Sequence, residues 1–270
     1  MRRLAVAAAL LFASCAHQKL AGADLDQVQR PAFVSWIQNG AGPKSEVFRG
    51  DQAYQARLKK LDAQEADRRL AVKLKRGVTR FEVSDRLRAG TLLRLPKEPP
   101  WNNTIDASRV ASLLGVLLVE EEPAPAPDIE ELKTLGADAV VEFVISSFGM
   151  RSAKGKAGAF VEGEARMYFL KGGEIWRMPF KVDQVAQKTA ALDPFEVAKD
   201  PNRVLFRDQL SAVLDQVSEA AAKELQPLRR RAAAAPPPAG EAPGEGQPPL
   251  PPPPPGQKPA NDLPPDGELE

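Results

Sequence analysis

A single cysteine, Cys15, sets the first limit on this chain. No disulfide can form within it, so its fold must rest on an apolar core alone. Histidine is just as scarce: the only one, His17, lies two residues further on. These two facts remove Ser-His-Asp and Cys-His catalysis from the body of the chain, along with zinc sites built on Cys or His. With 270 residues, 43% of them hydrophobic and 27% charged, the chain has enough apolar material for an ordinary core. Proline then bounds the part that can use it. Runs such as Pro236-Pro237-Pro238 and Pro251 to Pro255 crowd the C-terminal end. Proline fixes φ and removes a backbone donor, so helices and sheet ladders are ruled out there. Residues 229–270 are expected to be a disordered, polyproline-II-rich tail, either a spacer or a ligand for an aromatic groove on a partner.

The start of the chain explains the lone cysteine. Arg2 and Arg3 form a basic region, Leu4 to Ala13 an apolar one, and Ala13 and Ser14 put small residues in front of Cys15. The apolar run is too short to span a bilayer. The order of these features resembles a bacterial lipoprotein signal, with residues 1–14 removed and Cys15 acylated as the first mature residue. Palmitate and other acyl chains there would anchor the protein to a membrane. No Asp follows Cys15, which favours the outer membrane, periplasmic face. Residues 15–33 read as a lipidated polar tether and 34–228 as one globular domain. The formal charge is +1 for the whole chain. Less Arg2 and Arg3, it is about −1, so the exported part has no strong field and no nucleic-acid partner is expected.

The periodicity of the domain predicts an α+β fold. Tyr54, Leu58, Leu61, Leu70 and Leu74 mark one face of a helix over Asp51 to Arg76. Phe81, Val83, Leu87, Leu93 and Leu95 alternate as in a strand, yet Ser84-Asp85 could cap a helix; the helix reading is favoured. Asp106 and Asp128 fit as caps of two further helices, the second closed by Gly136. Pro123, Pro125 and Pro127 stiffen the connection between them. Val140, Val141, Phe143, Val144 and Ile145 suggest a central strand buried on both faces. A hairpin follows, with alternating arms over Ala159 to Phe169 and Trp176 to Val182 around Lys171-Gly172-Gly173. Asp200-Pro201 then opens a long helix with Phe206, Leu210, Val213, Leu214 and Val217 on its apolar stripe. The expected architecture is an antiparallel sheet of three to four strands packed against helices.

Few residues suggest chemistry. Glu162 and Glu164 lie two apart on a strand and share a face, as a carboxylate pair would. The plainer reading is a solvated sheet face with Arg166 and Lys181 nearby. Glu120-Glu121-Glu122 reads as a helix end or loop rather than a metal site, because cation sites need ligands from several segments. Arg151, Lys154 and Lys156, interleaved with Gly155 and Gly158, form a basic loop without the pattern of a phosphate loop. It reads as an exposed hairpin connection, with an anionic partner as the alternative. Arg229-Arg230-Arg231 suits the cationic end of the last helix. Trp101, in a proline-bounded loop, is the better surface candidate among the aromatics; Trp176 fits the buried stripe. The residues singled out for partner contact are thus Trp101, Arg151, Lys154 and Lys156. No cofactor, no metal and no enzymatic activity are expected.

Three segments carry a family resemblance. Leu132-Lys133-Thr134-Leu135-Gly136-Ala137-Asp138-Ala139-Val140-Val141, the turn Gly172-Gly173-Glu174-Ile175-Trp176 and the long C-terminal helix resemble small periplasmic lipoproteins. These are the peptidoglycan-synthase activators and the curli-export (CsgG-like) lipoproteins, and the similarity spans about residues 105–225. The resemblance implies an α/β sandwich and a non-enzymatic accessory or assembly role for an envelope protein complex. A binding module for peptidoglycan or another envelope ligand is the alternative. No contact residue of the activators carries over. The synthase activators also have their proline-rich segment between lipid and domain, whereas here it is C-terminal.

Overall fold

A computed structural model describes residues 17–115 and 128–227. The leader with Cys15, the acidic run Glu120 to Glu122, the prolines 123, 125 and 127, the arginines 229 to 231 and the proline-rich tail lie outside the described residues. In chain order the elements are α1 (Gly22–Leu25), β1 (Pro31–Ile37), β2 (Lys44–Glu46), α2 (Gln52–Gln55), α3 (Ala63–Lys75) and α4 (Arg80–Arg94). A 3-10 turn (Trp101–Asn103), α5 (Ala107–Leu114) and a 3-10 helix (Ile129–Leu135) come next. Then follow β3 (Ala139–Ala153), β4 (Lys156–Phe169), β5 (Glu174–Asp183), α6 (Pro194–Lys199) and α7 (Val204–Glu224).

The fold class read from the sequence holds: helices pack on a sheet. Its antiparallel part is β3–β4–β5, and β1 and β2 extend it to five strands by pairing in parallel with β3. These two strands have no counterpart in the sequence reading. The β1 segment, Pro-Ala-Phe-Val-Ser-Trp-Ile, is buried along almost its whole length. A parallel strand covered on both faces carries no alternation to betray it.

The N-terminal stretch also differs from expectation. Residues 17–33 are not a free polar tether. Leu20, Leu25 and Val28 are buried in the core. Gln18 and Arg177 exchange both backbone hydrogen bonds, each 2.9 Å, which adds one bridge to the outer edge of β5. His17 Nε2 and Trp176 Nε1 both meet Glu224 Oε2, at 2.8 and 2.9 Å. Because Arg177 turns its N–H and C=O outward, the period of two turns the nitrogen of Pro179 outward as well. Proline is tolerated there because no partner on β4 loses a donor.

Helix ends follow local chemistry. Asp51 caps α2 and Asp62 caps α3, accepting from Gln64 N and Glu65 N. The single helix expected over 51–76 is therefore two, parted by residues 56–62 with Lys59 at positive φ. α4 starts at a capping box of Thr79 and Glu82, five residues before the Ser84-Asp85 start expected for it. Asp106 and Asp128 cap as expected. Gly136 stops its helix at φ 78°, a left-handed conformation that favours glycine. Two residues on, the Asp138 carboxylate accepts from Gln29 N (2.7 Å) and Arg30 N (3.0 Å) and so fixes the entry to β1. α7 begins at Val204 rather than at Pro201, while Asp200 accepts from Leu205 N at 3.0 Å.

The sheet has unequal faces. One is covered by α4 and α7, with α3 and α6 beside them, over a core that includes Phe33, Phe143, Phe148, Met167 and Trp176. Gly90 lets α4 and α7 approach closely: a Cβ there would stand 2.8 Å from Ser218 Oγ. The other face is covered only near the start of β1 and β3, where Val34, Val140 and Leu132 pack with Val110 of α5. Beyond that cluster its side chains are mostly charged.

Candidate functional site

The open sheet face converges on Arg151. This residue sits on β3 rather than in a loop, and only 19% of its side chain is exposed. Its guanidinium pairs with Glu46 of β2 (3.4 Å), Glu162 of β4 (3.0 Å) and Asp183 of β5 (3.1 Å). It also lies 3.6 Å from the ring centroid of Phe160, a cation–π contact. One cation thus joins four strands. Lys181 reaches Glu162 at 3.1 Å. Glu46, Arg49, Arg151, Ser152, Glu162 and Lys181 border an open polar cleft of about 540 Å3.

The same face decides what Glu162 and Glu164 can do. Burial tends to raise the Glu162 pKa, but hydrogen bonds from Lys181 and Arg151 outweigh it, and the carboxyl stays below the usual glutamate range. A general acid at neutral pH needs the opposite shift. Glu164 lies between Arg166 (3.6 Å) and Arg177 (3.9 Å). The buried Glu142 beside it accepts from Trp36 Nε1 and Arg166 Nη2, both at 2.7 Å. Arg166 and Lys181 do lie beside these glutamates, as the sequence reading had them, but the face is half-buried rather than solvated. Among the described residues no group of three or more His, Cys, Asp or Glu is placed to hold a metal ion.

The remaining sequence candidates separate. Lys154 (φ 54°) and Gly155 (φ 73°) form a two-residue turn joining β3 and β4, the geometry of a tight hairpin. Lys156 is already on β4. The turn is tied down, since Gly155 N donates to Asp51 Oδ2 (2.7 Å) and Tyr54 Oη donates to Gly155 O (3.0 Å). Both lysines are exposed, but they do not form a flexible basic loop with Arg151. Trp101 is only 6% exposed and packs edge-on against Phe33, with centroids 6.1 Å apart. It plugs the core and is not a surface contact.

A different cleft went unnoticed in the sequence. Between α3 and α6 runs an open groove of about 520 Å3. Phe48, Leu58, Leu61, Leu70, Val72 and Phe195 supply its apolar lining. Phe48 and Phe195 meet edge to face at 5.6 Å. Val72 is 45% exposed. Arg68, Arg69, Lys73 and Arg76 border it, and no acid among the described residues does. The helix geometry of α3 explains the arrangement. Leu70 and Leu74 face the core with Asp67, whose buried carboxylate accepts from Ser45 Oγ (2.5 Å), Val47 N (2.9 Å), Phe48 N (3.1 Å) and Arg49 N (3.0 Å). That anchor holds Phe48 at the groove. Val72 was the available signal, an apolar residue amid four cations, but one such residue on a helix surface is ordinary.

No protein-family model matches the chain, and no curated protein matches it. Similar solved structures include an uncharacterized protein at 13% identity, covering 73% of this chain and 92% of that one, with a TM-score of 0.31. A PelC dodecamer from Paraburkholderia phytofirmans is 8% identical over 70% of this chain and 86% of that one, TM-score 0.26. A hypothetical protein from Chlamydia trachomatis is 10% identical over 71% and 96%, TM-score 0.27. Likeness at this level carries no argument about function.

Proposed function

We propose that this chain is a non-enzymatic lipoprotein of the bacterial cell envelope, anchored through Cys15 at the periplasmic face of the outer membrane. It acts as an accessory or assembly factor by binding an envelope protein. The observation that carries this reading is the groove between α3 and α6: an open cleft with an apolar floor and a cationic rim. Such a surface suits binding, because apolar area shielded by a partner is the main favourable term in association. The polar cleft at Arg151 favours a second reading, a module for a cell-wall polymer, since its open mixed-charge lining could hydrogen-bond sugars or stem peptides.

Crosslinking in intact cells, followed by capture of the tagged protein and mass spectrometry, tests the first reading. One cell-wall synthase or one envelope export assembly should be recovered. Recovery of wall fragments alone, together with retention on purified sacculi, would transfer the function to the Arg151 cleft. For the anchor, Cys15→Ser should move the protein out of the detergent phase. If the variant still partitions with membranes, the lipid reading is wrong.

A further inference from the structure

From the chemistry of the groove between α3 and α6 we infer that it receives an acidic peptide segment of the partner, with apolar side chains on one side. This rests on the reading of the chain as a membrane-held protein binder. Charge is the first ground. Of the side chains lining the groove, Arg68, Arg69, Lys73 and Arg76 are cations and none is an anion. The acids close by are already engaged. Glu65 is held down to about 2 by Arg68 and Arg69, at 2.6 Å each. Asp193 is bound to Arg57 (2.9 Å) and Glu196 to Lys199 (3.1 Å). One glutamate cannot neutralise both Arg68 and Arg69, and among the described residues no carboxylate pairs with Lys73, whose Nζ donates to Ala198 O. The cleft therefore offers an apolar floor inside a positive rim. Such a surface attracts an acidic segment and repels a basic one. Apolar anchors on that segment would cover Val72 and Leu61, as in the helix-in-groove mode of recognition.

Position is the second ground: the groove lies away from the proposed anchor, where a partner's segment can reach it. The chain departs toward Cys15 at Gln18, which is bonded to Arg177. Arg177 pairs with Arg166, and Arg166 with Glu142. The groove lies beyond the other end of β3, where Ser152 Oγ donates to Val47 O next to Phe48. Ten residues of strand from Glu142 to Ser152 span about 33 Å. Only Ala16 separates Cys15 from His17, so the two steps between them reach about 7 Å at most. A lipid on Cys15 thus holds the β5 edge to the membrane, and the groove lies far along the sheet from it. Anionic headgroups, which could satisfy the same cations, are the competing occupant that the test below separates from a protein.

The test places photoreactive benzoylphenylalanine at Val72, and separately at Leu93, which is 85% exposed on α4, in the full-length lipoprotein in intact cells. Crosslinked segments are identified by mass spectrometry. The expected adduct at position 72 is a protein segment of net negative charge. Its yield should fall at least five-fold when Arg69→Glu and Arg76→Glu are added. Arg69→Gln with Arg76→Gln should give an intermediate loss, and circular dichroism checks that each variant is folded. A neutral or basic segment at position 72 overturns the acidic partner but leaves the protein-binding reading standing. A phospholipid adduct overturns it in favour of the bilayer. Protein adducts at position 93 alone place the partner elsewhere and overturn the groove. If neither position yields a protein adduct, the protein-binding reading falls with it.

Discussion

The cleft at Arg151 and the groove between α3 and α6 have similar sizes and opposite character. The first gathers ionisable groups, and nearly all of them are spent on each other: one arginine binds three carboxylates from three neighbouring strands. The second has an apolar floor that nothing in the described chain covers. Density of charge is therefore a poor guide to function in this molecule. Where charges are mutually paired at short range they fasten strands. An apolar surface left open has no such internal use, and a surface like that is what a partner can exploit.

The sharpest way to break this comparison is to remove what each region is said to do. Asp67→Ala strips one carboxylate from four donors under the groove. Buried donors left unpaired should cost about 3–5 kcal/mol in urea unfolding. A loss under 1 kcal/mol would show that the 45–49 segment does not depend on this anchor. Arg151→Met should cost about 2–3 kcal/mol, less than a fully buried network because Glu46 and Glu162 are partly solvated. If instead the variant were as stable as the parent but lost a bound cell-wall fragment, the cleft would be a binding site and not a clamp.

A smaller effect concerns acidity. The Glu162 carboxyl has a folded-state pKa below its ordinary value. Its charged form therefore stabilises the fold above the usual glutamate range, and that contribution is lost as pH falls through the folded-state value. Glu162→Gln should lower the urea midpoint at pH 7 and flatten its decline toward pH 3. Identical slopes for the two proteins would mean that Arg151 and Lys181 do not hold this group. The smallest effect is expected at the groove. Val72→Asp, at an exposed position, should change stability by no more than about 0.5 kcal/mol while abolishing capture of the partner by the tagged protein in crosslinked cells. A large destabilisation would show that Val72 belongs to the core.

Two kinds of strand announce themselves in this sequence: those with one wet face, and the long β-branched run from Val140 to Ile145 that became β3. The β4 and β5 arms alternate, and Gly172-Gly173 turns between them, so the hairpin is legible. The two ends of the 129–135 helix are legible too, since Asp128 and Gly136 each do a local job. β1 was not legible, because Ala32 and Ser35 interrupt its apolar residues and Pro31 at its head looks like loop chemistry. The break between α2 and α3 was signalled by Asp62 with Glu65 three positions on, but the leucines at 58, 61, 70 and 74 suggested one continuous face. The site was harder. Arg151, Lys154 and Lys156 are close in sequence, and the strand separates their roles. The groove joins Phe48, Leu61, Val72 and Phe195 across about 150 residues of chain. Only the packing of α6 beside α3 brings them together, and no local pattern encodes that.

Under the proposed lipid anchor, copies of the molecule would share one surface, and the bridge between Gln18 and Arg177 then has a consequence. Confinement to a plane brings neighbours together side-on, and an uncapped strand at the rim of a sheet invites the next molecule to continue the ladder. Here the outward groups of Arg177 are already taken by the protein's own N-terminal stretch, and Pro179 offers no donor two positions on. The segment that runs toward the proposed anchor also blunts the edge most exposed to crowding, so dense packing at the surface need not turn into sheet-to-sheet aggregation.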